Sequence, residues 1–398
     1  MDLSHVVNTK DTPVPVVLGE RVARPYTGLT KKTKFPVEIP TTTWSAPSIF
    51  PMAMDGGIIY GKSSTNPKMI ASSVDNLATI VTGAILTQNI QSILVSGSKI
   101  LVSIWDGVGF AGKIVAGDKV NGVTGPFVDV ITFGLDIYTV GYGMHAYYDM
   151  KRSDNTYMRD YVLIAEYGKK TVPGNARNVY LSKDGGATFA VIFTGDELLE
   201  YHTHGVAYDQ YMDRIWVSHG DGADNKGVEF SDDFGTTWVH AADWQPTLII
   251  PMPKYVLFGS DDLPVGMYRW NREQEMWEKR QVGGDITNAY EVIHPIRPSS
   301  SGANNFARGP FAKDGDWVAY IAFIASSSGG APYKSFLLAT GDGGETFHTV
   351  FMDQVTLGHA GFTYGILGPY SDGTMVANYD HERNRQVMKF PKVVWETI

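Results

Sequence analysis

Ser231-Asp232-Asp233-Phe234-Gly235-Thr236-Thr237-Trp238 reads as a tight turn that closes a β-hairpin. An aspartate carboxylate accepts hydrogen bonds from backbone N–H groups just after it, and hydroxyls at the first and seventh positions join the same net. Glycine supplies a positive φ, and the aromatic ring packs beneath. The template S/T-x-D-x-G-x-T-W/F returns from Ser182 to Phe189 around Asp184, and from Thr340 to Phe347 around Asp342. A degenerate copy from Ser73 to Ile80 keeps Ser73, Asp75 and Thr79 but has Leu77 and Ile80 where glycine and the aromatic stand.

The four copies begin at positions 73, 182, 231 and 340. The middle step is one repeat and the outer steps are each about two, which gives a mean repeat of about 53 residues. Two eroded copies fill the gaps, Val120 to Phe127 and Trp270 to Trp277, so the charged run from Asn271 to Arg280 becomes a hairpin rather than a helix. After Phe347 the chain still holds the β-rich runs Gly365–Tyr370, Met375–Tyr379, Gln386–Phe390 and Val393–Thr397, enough for one more unit. Repeats of this length, rich in short strands, fit the blades of a β-propeller, the fold that the family resemblance of the octapeptide implies. The expectation is an all-β propeller with seven blades over residues 44–398; six blades, with terminal strands sharing one sheet, is the alternative.

The octapeptide resembles the Asp-box, or BNR repeat, of the sialidase-like propellers found in bacterial and tailed-phage proteins. That resemblance implies that the box joins the third and fourth strands of a blade, with Asp75, Asp184, Asp233 and Asp342 as structural residues.

Composition agrees with this fold class. Only 19% of residues are charged, and 43 of the 398 are glycine, which favours turn-rich β-structure over helix bundles. The net charge of −9 leaves no basic field for nucleic acid. No apolar run approaches a membrane span, and Met1 to Thr12 has no apolar core, so neither membrane insertion nor a Sec-type signal is expected. With no cysteine, thiol nucleophiles, zinc fingers and disulfides are excluded.

Residues 1–43 differ from the rest, with Pro13, Pro15, Pro25, Pro36 and Pro40 and a basic cluster at Lys31, Lys32 and Lys34. Proline fixes φ and removes backbone donors, so this segment reads as an extended arm suited to a neighbouring subunit in an oligomer or larger assembly.

If the boxes lie on one face, the loops after second and fourth strands lie on the other, and binding residues concentrate on such loops. His145, His204 and His359 stand near the starts of expected innermost strands, with His202 and His219 close by. Together with Asp221 they are the candidate ligand-binding residues. Imidazoles around a channel mouth suit a divalent metal or a general base, although no HxxxH spacing supports this; otherwise no cofactor is expected. The aromatics near turns, Trp105, Phe110, Tyr167 and Tyr211, raise a carbohydrate-platform reading for one or two exposed rings; most aromatics are expected in the core, with Trp216, Trp238, Trp277 and Trp317 packed between blades.

Sialidase chemistry, which the resemblance raises, uses an arginine triad, a tyrosine–glutamate pair and an acid–base aspartate. The family's arginine motif is missing, and Ala23-Arg24-Pro25 lies in the arm; nothing makes Arg177, Arg297 and Arg308 converge. The expectation is therefore a non-catalytic recognition or assembly propeller that binds a glycan or protein partner at its loop face. On the resemblance it belongs to a virion, in a phage tail or adhesion apparatus, or acts outside the cell. The alternative is a sialidase-type glycoside hydrolase or a metal-assisted polysaccharide lyase.

Overall fold

The computed structural model describes residues 34–38, 43–45, 48–119, 123, 125–139, 144–147, 150–151, 157–158, 160–168, 176–195, 202–220, 226–260, 266–277, 294–295, 305–306, 311–325, 333–355, 360–381 and 384–397. They form a seven-bladed β-propeller, each blade an antiparallel sheet. Blade one is Ile49–Asp55, Ile58–Ser63, Met69–Ser73 and Val81–Ile85. Blade two is Ile90–Ser96, Lys99–Ile104, Ala111–Asp118 and Phe127–Leu135. Blade three is Met144–Tyr147, Tyr161–Ala165, Asn178–Ser182 and Ala190–Thr194. Blade four is His202–Asp209, Arg214–Gly220, Gly227–Ser231 and Val239–Ala242.

Blades five to seven depart from this plan. In blade five, Gly266–Asn271 pairs with Met276–Trp277 at one end and with His294–Pro295 at the other, so the fourth strand comes in two pieces. Trp270 pairs with Trp277, and the run after Asn271 is a hairpin as its spacing predicts. In blade six the first strand is split into Asn305–Phe306 and Phe311–Asp314. Blade seven takes Ala360–Leu367, Thr374–His381 and Asn384–Pro391 from the end of the chain and Thr43–Ser45 from its beginning.

That last arrangement corrects the sequence reading, which counted Val393–Thr397 among the four runs of the last blade. The strand Val394–Thr397 pairs instead with Lys34–Glu38. Terminal strands do share a sheet, but in a ring of seven. The remainder of the expected arm, Arg24 included, lies outside the described residues.

The octapeptides join third and fourth strands in blades one, three, four and six. In blade four, Ser231 Oγ donates to Asp233 Oδ1 at 2.9 Å and accepts from the Gly235 N–H at 2.7 Å. Thr237 gives Asp233 both its N–H and its hydroxyl, at 2.8 and 2.7 Å. Asp184 and Asp342 hold the same net. Gly235 has φ +89°, and a Cβ there would sit 2.6 Å from Ile192 Cβ in blade three. Glycine is thus required both by the turn and by the seat on the preceding blade. Leu77 takes this position in the degenerate copy with φ +68°, packs against the cluster of Tyr370, Val376 and Val387 in blade seven, and keeps the Ser73 and Asp75 bonds.

The core lies between blades. The cluster between blades four and five is aromatic, with Trp216, Phe230, Trp244, Phe258, Tyr268, Trp270 and Trp277 all buried.

Candidate functional site

Because each sheet is antiparallel, octapeptide turns share one face with the hairpins between first and second strands. Loops between second and third strands, and the connections between blades, occupy the other, here called the loop face.

A row of rings crosses the loop face from blade two to blade three and continues beneath it into blade four. Trp105 stacks on Tyr138 with centroids 4.2 Å apart and planes 8° apart. Tyr138 meets Tyr167 edge-on at 5.5 Å, Tyr167 lies 4.2 Å from His202, and His202 lies 5.0 Å from His204. Trp105, Tyr138 and Tyr167 are only half-buried. Beside them Val108 and Phe110 are 59% and 51% exposed.

Backbone contacts hold these rings in place. Ile137–Tyr138 pairs with Tyr167–Gly168 in a two-stranded patch outside the blades, with Tyr138 opposite Tyr167. The Phe110 carbonyl accepts from Trp105 Nε1 at 3.0 Å and from the Asp136 N–H at 3.0 Å. Asp136 Oδ1 in turn accepts the Gly109 N–H at 2.6 Å. A Cβ on Gly112 would lie 2.3 Å from the Ile137 carbonyl, so this close approach needs glycine.

A polar edge adjoins Trp105. Asp106 Oδ2 accepts from Lys68 Nζ at 3.0 Å, and Asp106 Oδ1 from the Asn89 N–H at 2.8 Å. Lys68 Nζ also donates to the Thr87 carbonyl. These contacts tie the loops of blades one and two together.

Of the candidate histidines, His202, His204 and His219 are 2%, 1% and 3% exposed. They lie in the first two strands of blade four, with His202 against Tyr167 and His219 against Phe193 of blade three, beneath the loop face rather than on it. His202 pairs with Gly220 and His219 with Thr203, which turns the rings of His202 and His219 to opposite sides of the sheet. His145 lies in the first strand of blade three; Asp221 and His359 lie outside the described residues. Among the described residues, no three His, Asp or Glu side chains form a group able to hold a metal ion.

His219 belongs to a chain of polar contacts. Its Nε2 is 3.2 Å from Glu229 Oε1, which also meets His240 Nδ1 at 2.8 Å, and His240 Nε2 meets Asp243 at 2.7 Å. Burial pushes the Glu229 carboxyl up, but its hydrogen bonds to His219 and His240 outweigh that and hold it below its usual value. The hydrogen bond to Glu229 raises His240.

Of the four aromatics near turns, Trp105 and Tyr167 are joined through Tyr138 on the loop face, and Phe110 lies beside Trp105, whose Nε1–H its carbonyl accepts. Tyr211 lies apart. It is buried on the octapeptide side, where its hydroxyl donates to Asp316 at 2.6 Å beside the Arg272–Asp209 ion pair.

Two residues were not singled out by sequence. Tyr138 sits in a connection with no motif, and only its place after Asp136, a non-glycine residue with φ +60°, marks it as part of a built turn. Tyr180 donates to Glu166 Oε1 at 2.6 Å, and Glu166 is fixed further by Asn178 through its N–H and side-chain amide. Burial and then the Glu166 charge push the Tyr180 hydroxyl up, the direction opposite to an activated phenolate.

No protein-family model matches the chain, and no curated protein matches it. Solved structures do match, among them the GH74 xyloglucanase from Xanthomonas campestris, at 13% identity and a TM-score of 0.49. The match covers 85% of this chain and 52% of that enzyme, so this chain spans about half its length.

Proposed function

We propose that this chain is a non-catalytic recognition propeller that holds a glycan against its loop face. The observation that carries the reading is the row Trp105–Tyr138–Tyr167, half-buried, pinned by backbone pairing and flanked by exposed Phe110. Aromatic faces carry partial negative charge and suit the C–H face of a sugar ring, while hydroxyls at the ring edge need polar partners. Asp106 and Lys68 supply such partners at one end. Stacking platforms for nucleic acid need a basic groove, and the net charge of −9 disfavours one.

The glycosidase alternative rests on the Tyr180–Glu166 pair. Against it, that tyrosine is raised rather than lowered, and the one described candidate arginine, Arg177, gives its NH1 to the Gly195 carbonyl. The virion or extracellular setting comes from the Asp-box resemblance, and a glycan-binding face with an assembly arm suits an adhesion apparatus.

A polysaccharide and oligosaccharide panel tests the function, read on one sample for retained carbohydrate and for released product. Retention without release is the expected result. Release would favour the enzyme, with Tyr180→Phe as the deciding variant, and binding of proteins alone would move the reading to a protein partner.

A further inference from the structure

Resting on the glycan-binding reading, we infer that the site selects uncharged sugars, and that Asp106, held by Lys68, is the residue that reads their hydroxyls. Asp106 follows Trp105 directly, and Asn89 bridges the two: its carbonyl accepts the Trp105 N–H at 2.8 Å and its N–H donates to Asp106 Oδ1 at 2.8 Å, which fixes the carboxylate beside the Trp105 backbone, where the ring row begins. The carboxylate and the lysine side chain are 20% and 36% exposed. Each keeps hydrogen-bonding capacity: the two carboxylate oxygens have about four acceptor sites between them, of which Lys68 and the Asn89 N–H use two. Lys68 has three donors, spent here on Asp106 and the Thr87 carbonyl. A sugar hydroxyl is both donor and acceptor, so one hydroxyl donating to Asp106 and its neighbour accepting from Lys68 would use the lysine's third donor and a third acceptor site of the carboxylate.

The charges nearby favour a neutral ligand. Asp106 and Asp136 lie beside the row and Glu166 precedes Tyr167, while the described cations around it are already engaged, Lys68 with Asp106, Lys113 with Asp129 at 2.5 Å, and Arg177 with the Gly195 carbonyl. A carboxylated or sulfated sugar would bring its charge toward two aspartates, with Lys68 already neutralised. Such like-charge contact is a source of discrimination. Lys169 and Lys170, which follow Tyr167 in sequence, lie outside the described residues and define the competing outcome.

The test uses the full chain and matched hexasaccharides, neutral gluco-, xylo- and manno-oligosaccharides against oligogalacturonate and a sialylated oligosaccharide. The wild type should bind at least one neutral probe tenfold or more tightly than either acidic one. Asp106→Asn keeps the shape and the acceptor for the Asn89 N–H; it should weaken neutral binding at least tenfold while costing no more than about 1 kcal/mol of stability for the lost Lys68 pair, with unfolding still cooperative. Preference for an acidic probe, lost in Lys169→Ala/Lys170→Ala, would overturn the inference, as would Asp106→Asn binding within twofold of wild type. Both results leave the glycan reading standing. Failure of every carbohydrate to bind the wild type would overturn that reading and this inference together.

Discussion

Two sets of aromatic rings in this propeller have similar spacings and opposite surroundings. Between blades four and five, Trp216, Trp270, Trp277 and Phe258 meet at centroid distances of 4.7–5.5 Å and are buried. On the loop face, Trp105, Tyr138 and Tyr167 meet at 4.2–5.5 Å and stay half-buried. The first set grows out of strands, where alternate residues face the next blade. The second is held by turns and by a short pairing outside any blade. Ring contact alone therefore does not mark a site; what marks one is rings fixed by backbone bonds yet left partly open.

The largest effect is expected where this contrast is broken from the buried side. Trp216 is fully buried, with the Arg214 guanidinium 5.4 Å from its ring, so Trp216→Ala should cost about 3–5 kcal/mol. Chemical denaturation followed by intrinsic fluorescence measures it. A cost below about 1 kcal/mol would mean that the cluster does not brace blades four and five.

Acid should act next, through the octapeptide turns rather than the rings. The side-chain hydrogen bonds from Thr79 to Asp75 and from Thr188 to Asp184 head the causes that hold both carboxyls down to about 2, against an ordinary 3.8. Folded values below the unfolded ones mean stability that is fully present above pH about 4 and lost as pH falls through about 2. Asp184→Asn should lower stability by about 1 kcal/mol at neutral pH, the turn being solvent-screened, and should flatten the acid dependence of the unfolding midpoint. An unchanged slope would remove Asp184 from that titration.

On the open side the balance reverses. Tyr138→Ala should cost about 1 kcal/mol of stability while weakening glycan retention at least tenfold, measured by affinity electrophoresis on the retained polysaccharide. Phe110→Ser, at an exposed position, should change stability by no more than about 0.5 kcal/mol and retention by a few-fold. Equal retention in both variants would place the ligand elsewhere.

Legibility in sequence follows the range of the forces involved. The octapeptides were readable because a turn is local: Asp233 finds all its partners between Ser231 and Thr237. Their spacing carried the blade number, and the hairpin after Asn271 followed from it. The closure of blade seven was not readable, since Thr43–Ser45 has no pattern of its own and its partner Val387–Lys389 lies at the far end of the chain. The ring row was half-readable: Trp105 and Tyr167 stood near turns, but only the order of the blades brings them to Tyr138. The burial of His202, His204 and His219 was not readable, because a strand's alternation is the same whether one or both of its faces are covered, and all of His202–Asp209 is buried.

The most direct test of the binding face is retention of polysaccharide by the wild type and by the double variant Trp105→Ala/Tyr138→Ala, with unfolding midpoints recorded on the same samples. The account predicts that the wild type retains carbohydrate and releases no product, and that the double variant loses retention while remaining a cooperatively unfolding propeller. Full retention by a folded double variant, or product release by the wild type, would contradict it.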